Sequence, residues 1–277
     1  MGPDIVTPPC RSGRCARSVH PLGLLIALCA LFGLAVGSFL NVVIYRVPRH
    51  ESIVSPPSAC PSCATPIAAR DNIPVLSWLL LRGRCRHCGA PISLQYPLVE
   101  LATGALFAGL AARFGYDWAL PAYLALFAGL FALSWIDVER MLLPKAIVYP
   151  TLVLVAGLLL LPAAIDRSWH DYWVAWACAA GWFVFFFALN FASPKILGFG
   201  DVRLAPVLGL GLGWLGVGYV LLGFFAANLI GAVVGIALIA TKRMGRQSRI
   251  AYGVFLALGT GVAVYFGPQL LAPFHVS

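Results

Sequence analysis

The stretch GFGDVRLAPVLGLGLGWLGVGYVLLGFFAANLIGAVVGIALIA, residues 198–240, decides the fold. After Arg203 no charged side chain occurs until Lys242. About 20 apolar residues cross a bilayer core of about 30 Å, so a run of this length reads as two membrane spans. The break between them falls near Trp214 to Gly218. The apolar/polar alternation of a membrane strand is absent, which argues against a barrel. Yet the run opens on Asp201, preceded by Gly198 and Gly200 and followed by Arg203. A carboxylate is expensive at the edge of a bilayer and marks a functional site there.

Similar apolar runs recur along the chain, at 20–45, 97–113, 118–136, 146–164, 172–192, 203–216, 218–241 and 250–267. The 277 residues are 61% hydrophobic and 10% charged, far from the roughly 25% charged residues of a soluble domain. The reading is an all-α polytopic membrane protein of about eight transmembrane helices. The sixth span is short and is expected to tilt or to begin inside a cavity. The net charge of +9 is a matter of topology, since the basic residues sit between the apolar runs; no nucleic-acid partner is expected. With the N-terminus outside, 14 of the 19 Lys and Arg fall on the cytoplasmic side, as the positive-inside rule asks. The tail at 1–19 dissents, because Arg11, Arg14 and Arg17 precede the first span. Tail and run together also have the form of a secretory signal peptide. The run is long and continues straight into GSFLNVVIYR, which favours a retained span.

One hydrophilic domain remains, at 46–96 between the first and second spans, on the cytoplasmic side. It carries CPSC at 60–63 and CRHC at 85–88, separated by 21 residues. Two such knuckles can bring Cys60, Cys63, Cys85 and Cys88 onto one tetrahedral Zn²⁺. The glycine of CGAP, 88–91, suits the tight turn after the second pair. A structural zinc would fold a loop too small to build its own core. A redox pair or an RNA-binding knuckle is the other reading of the same residues. His87, inside the second knuckle, is expected at the surface.

A second anomaly is SWIDVERMLLPKAI, 134–147, where Asp137 ends the third apolar run. By the topology above, Asp137 and Asp201 lie at the same cytoplasmic boundary, 64 residues apart in sequence. Two close carboxylates share one proton and titrate as a pair. That is what aspartic peptide hydrolysis needs: the ionised member activates water and the protonated member donates to the carbonyl oxygen. Gly198 and Gly200 would let backbone or substrate come close. In the first turn of a helix Asp201 would be favoured in its ionised form, which makes it the base. Taken singly, each aspartate reads instead as a helix cap or as the partner of Arg140 or Arg203. Asp71, Asp166 and Asp171 read as solvated loop residues. Glu100, just inside the second span, must pair or line a cavity. Asn41 and Asn228 read as helix–helix hydrogen bonds. No P-loop, no HExxH and no serine or cysteine triad is present.

GSFLNVVIYRVP (37–48), the two CxxC pairs, DNIPVLSWLLLRGRC (71–85), YPLVEL (96–101), DVERMLLP (137–144), GFGD (198–201) and GVFLALG (253–259) occur in this order. The ordered set, from about residue 33 to 260, resembles the type IV prepilin leader peptidases, integral-membrane aspartic proteases with a GxGD motif. The resemblance implies a bacterial inner-membrane enzyme whose active site faces the cytoplasm. It implies that Asp137 and Asp201 are the catalytic dyad, with 97–270 as the peptidase domain. It implies substrates that are prepilins and pseudopilins, with a basic leader and an apolar helix held in the bilayer. It further implies methylation of the new N-terminal amine with S-adenosylmethionine, an activity that goes with the cysteine-bearing loop. Lys145 departs from the acidic residue frequent after the family's LP.

Three alternatives stand beside this reading. One is a peptidase that only cleaves. Another is a proton-coupled transporter, although its carboxylates would lie near the midplane between broken helices. The third is a zinc-bearing assembly factor without catalysis.

Overall fold

The computed structural model describes residues 21–192, 198–241 and 251–274. The tail at 1–19 and the basic residues Lys195, Lys242, Arg243, Arg246 and Arg249 lie outside the described residues. The helices are α1 (Pro21–Arg46), α2 (Leu76–Leu80), α3 (Gln95–Phe114), α4 (Leu120–Arg140), α5 (Lys145–Ile165), α6 (Trp169–Ala192), α7 (Phe199–Leu215), α8 (Val217–Ala240) and α9 (Tyr252–Leu271). Each apolar run of the sequence is one of these helices. Of the eight helices formed by these runs, seven among the described residues are long and apolar enough to cross a membrane. The exception is α7, whose 17 residues extend about 25 Å at about 1.5 Å per residue. No strand occurs among the described residues, only two isolated bridges in the loop between α1 and α3.

The ends of the helices follow from local chemistry. Between α7 and α8 stands Gly216 at φ 124 and ψ 159, a backbone state that only glycine takes easily. Met141 closes α4 in the left-handed region, its amide on the Asp137 carbonyl at 2.8 Å, and Pro144 then caps the start of α5.

Three pairs of consecutive spans pack most extensively: α1 with α3, α6 with α7, and α8 with α9. Each uses small residues one turn apart, which let membrane helices approach backbone to backbone. A Cβ on Gly33 would stand 2.7 Å from the Thr103 carbonyl, and one on Gly37 2.7 Å from the Cα of Glu100. Gly209 and Gly213 press on Cys178, Ala179 and Ala175 in the same way. Gly259 meets the Gly223 carbonyl and Ala227.

Two asparagines take part in hydrogen bonds between helices. Asn41 donates to the Tyr96 carbonyl at 3.2 Å, joining α1 to the start of α3 as expected of it. Tyr252 donates to Asn228 Oδ1 at 3.4 Å, joining α9 to α8. Pro268 lies inside α9 and cannot donate to the carbonyl four residues earlier. That carbonyl belongs to Val264, and Arg113 Nε of α3 fills the gap at 3.1 Å.

Candidate functional site

The end of α4 and the starts of α7 and α9 meet at one end of the bundle. Asp137 stands in the last turn of α4 and Asp201 in the first turn of α7. Both are buried, at 5% and 8% exposure. Their charges are close enough to interact. The amide of Gly198 lies beside the Asp201 carboxylate, where an acidic side chain three residues into a helix reaches back. The Asp201 amide in turn donates to the Gly198 carbonyl at 3.1 Å.

Asp137 faces the start of α9. A Cβ on Gly253 would stand 2.9 Å from its Oδ2, and the Gly253 and Val254 amides lie beside the carboxylate. Oδ2 itself is buried without a hydrogen-bond partner. Both aspartates thus sit against the positive end of a helix, Asp201 on its own and Asp137 on α9. The dipole argument that singled out Asp201 as the base therefore does not separate the two.

Leu143 wedges these parts together. Its Cβ lies 3.1 Å from where a Cβ on Gly200 would be, and its methyl carbons 3.2 Å from one on Gly253. Gly200 of GFGD and Gly253 of GVFLALG are thus the two surfaces on which this leucine rests. Arg140 and Arg203 do not neutralise the pair, because Asp71–Arg86 is the only ion pair among the described residues. Arg203 instead lies over the Phe199 ring at 4.7 Å. A buried carboxylate without a cation is costly, which sets both aspartates apart from ordinary helix caps.

The second cluster is the cysteine quartet. The four sulfurs lie within 4.8 Å of one another, with Cys60 and Cys88 at 3.8 Å. A tetrahedral Zn²⁺ with Zn–S of about 2.3 Å has sulfur–sulfur edges of about 3.8 Å. The donor set therefore fits a metal ion of the zinc type. The two knuckles are copies of one hairpin. Ala64 N donates to Cys60 O, and Gly89 N to Cys85 O. Ala64 and Gly89 both have positive φ, at 55° and 72°. The bridges Ala59–Pro66 and Arg84–Pro91 close the two hairpins at matching positions. The Thr65 hydroxyl, and after it the Thr65 amide, draw the Cys63 thiol down to about 6, which favours the ligating thiolate. His87 is exposed as expected.

Asp71 differs from its sequence reading. It is not a solvated loop carboxylate but takes Arg86 in a two-pronged grip, at 2.6 Å from NH2 and 3.0 Å from Nε. This fastens the start of the DNIP segment to the second knuckle. Sequence reasoning also missed the roles of Gly253 and Leu143. The signal for both was present in GVFLALG and in LP, but their contacts join segments more than 50 residues apart and leave no local pattern.

Comparison with known proteins follows the same division of the chain. Residues 31–114 match the model of the bacterial peptidase A24 N-terminal domain, and residues 124–236 that of the type IV leader peptidase family. A prepilin leader peptidase/N-methyltransferase of Aeromonas hydrophila is 36% identical over 278 residues, covering 89% of this chain and 92% of that protein. One of Stutzerimonas stutzeri is 36% identical, covering 91% and 94%. One of Myxococcus xanthus is 45% identical over 225 residues, covering 79% and 64%. No solved structure matches the chain. The first match spans the cysteine loop and the second spans both aspartates, and with relatives similar over nine-tenths of its length the chain belongs to the prepilin leader peptidase/N-methyltransferase family.

Proposed function

We propose that Asp137 and Asp201 are the catalytic dyad of a membrane-embedded aspartic peptidase that removes the leader of type IV prepilins or pseudopilins at the cytoplasmic face. The observation that carries this is the burial of two interacting carboxylates, without a cation, at the meeting point of α4, α7 and α9. Such a pair holds one proton between its members. The ionised member takes a proton from water as the oxygen adds to the scissile carbonyl carbon, and the protonated member gives its proton to the carbonyl oxygen. Collapse of the tetrahedral diol breaks the C–N bond. The carboxyl that took water's proton gives it to the departing amine, the other carboxylate takes a hydroxyl proton back from the diol, and the pair again holds one proton. Gly200 and Gly253 let Leu143 and Asp137 pack against the backbone of α7 and α9, and Leu143 sets the spacing of the helix starts.

In this reading 97–270 is the peptidase domain and 46–96 a zinc-stapled loop that serves methylation of the new N-terminal amine. Cys60, Cys63, Cys85 and Cys88 would hold the Zn²⁺, whose part is structural. S-adenosylmethionine, when bound, supplies the methyl group. The groove along Pro150, Val153, Leu154, Gly157 and Leu158 of α5 has only apolar side chains and suits no charged methyl donor.

The test is co-expression with a prepilin and intact mass of the product. Wild type removes the leader and adds one methyl. Asp137→Asn and Asp201→Asn each leave full-length substrate. Mature pilin from either variant would overturn the dyad. A leader removed without a methyl would leave the cleavage-only alternative.

A further inference from the structure

Three carboxylates are buried among the described residues: Asp137, Asp201 and Glu100. The peptidase reading uses the first two. Glu100 lies in the second turn of α3, pressed by Gly37 of α1. Its Oε2 accepts the amide of Val75, 25 residues away in the cysteine loop, at 2.7 Å.

Of the four non-glycine residues with positive φ between α1 and α3, Val75 is the one that is β-branched. It has φ 60 and ψ −49, a left-handed setting in which a β-branched residue is a genuine outlier. The Leu76 amide turns back onto the Pro74 carbonyl at 2.5 Å, which makes this a γ-turn of the rarer hand. Such strain persists only where the surroundings hold it, and Glu100 is what holds it.

The turn launches α2, and α2 carries the placement onward. Ser77 accepts the Ile73 amide and donates to the Arg70 carbonyl. Trp78 donates to the Ile92 carbonyl at 3.2 Å, just beyond the bridge that closes the second knuckle. A line of hydrogen bonds and short segments thus runs from the membrane helix to the cysteine quartet. Nothing on that line touches Asp137 or Asp201.

We propose that Glu100 is a positioning residue for amine methylation: by holding Val75 in its strained turn it sets where the cysteine loop stands over the end of the bundle. The proposal rests on the reading that this loop serves methylation.

The test compares Glu100→Gln, which keeps an acceptor oxygen, with Glu100→Leu, which keeps bulk and loses it. Leaving this part-buried donor unpaired is expected to lower the methylation rate by about tenfold in Glu100→Leu. Cleavage of the same prepilin stays within about twofold, since the dyad is untouched. One metal ion per chain is retained. Glu100→Gln methylates like wild type. Glycine takes a positive φ without strain, so Val75→Gly in the Glu100→Leu background recovers methylation. Backbone hydrogen exchange over 71–82 reads the same contact without any enzyme assay: faster in Glu100→Leu, unchanged in Glu100→Gln. Wild-type exchange in Glu100→Leu, equal loss of cleavage and methylation, or loss of the metal would each overturn the proposal. If exchange quickens in Glu100→Leu while methylation is unaffected by Cys60→Ser/Cys63→Ser, the latch stands as a contact, and both its role in methylation and the assignment of methylation to the loop are overturned.

Discussion

Asp137 and Gly253 approach so closely that a single added carbon on the glycine would lie 2.9 Å from the aspartate's Oδ2. The carbon would also press on Leu143 at 3.2 Å. Gly253→Ala is therefore expected to push the start of α9 away from the dyad and lower kcat for leader removal by about tenfold or more, since small misplacements of catalytic groups are costly. Intact-mass timing of prepilin processing checks this. Processing at the wild-type rate would mean that α9 takes no part in placing Asp137.

Arg113 serves α9 at its other end. Removing the guanidinium leaves the buried Val264 carbonyl unpaired, at a cost of about 1–3 kcal/mol. Arg113→Ala should lower the thermal midpoint in detergent. Pro268→Ala supplies the missing amide within the helix, so the double variant should lose less than Arg113→Ala alone. An additive loss would show that the arginine acts by some route other than this carbonyl.

Glycines that look alike in the sequence should behave oppositely. A Cβ on Gly259 would stand 2.3 Å from the Gly223 carbonyl, whereas one on Gly181 would meet nothing within 4 Å. Gly259→Ala is expected to cost about 1–3 kcal/mol by forcing α8 and α9 apart. Gly181→Ala should be neutral or stabilising by up to about 1 kcal/mol, because alanine is the better helix former. Paired melting curves decide it, and equal effects would contradict the packing.

Metal binding in the loop should weaken as pH falls. Ligation needs thiolates. Cys63 is drawn down to about 6, mainly by the Thr65 hydroxyl, so it stays ready to ligate down to that pH. Against the pull of the Ala90 amide, Cys88 is pushed up to about 11 by loss of solvent and by the neighbouring thiols. It must release a proton to bind. Chelator competition should therefore show affinity falling by at least about tenfold per pH unit between 8 and 6. Asp71 is held below the usual carboxylate range by Arg86. The stability it lends is present above the ordinary carboxylate value of about 3.9 and is lost only as pH falls further. The effect of Asp71→Asn on zinc loading should then be the same at pH 6 and pH 8.

Much of this architecture was legible in the chain because apolar length is a local property. Each run became a helix, and the weak break near Gly216 became the turn between α7 and α8. The two aspartates stood out because a carboxylate beside an apolar run is an anomaly, and the CxxC pairs because their spacing carries chemistry. What stayed hidden depends on pairing between distant segments. Asp71 looked solvated because nothing near it in sequence announces Arg86, fifteen residues on. Val75 gave no sign of a positive φ, since a β-branched residue is the least expected choice there. The small residues that set the helix pairs were visible only as composition until their partners were known.

The arrangement of those pairs bears on how the protein is made. The close-packed couples α1 with α3, α6 with α7, and α8 with α9 each join consecutive spans, so each can form as soon as its second helix enters the bilayer during synthesis. The site cannot. Asp137 comes from α4, which belongs to none of the three couples, Asp201 from the second couple and Gly253 from the third. No partly inserted chain holds all of them. In the proposed reading, the surroundings of the two aspartates are complete only once α9 has joined the bundle.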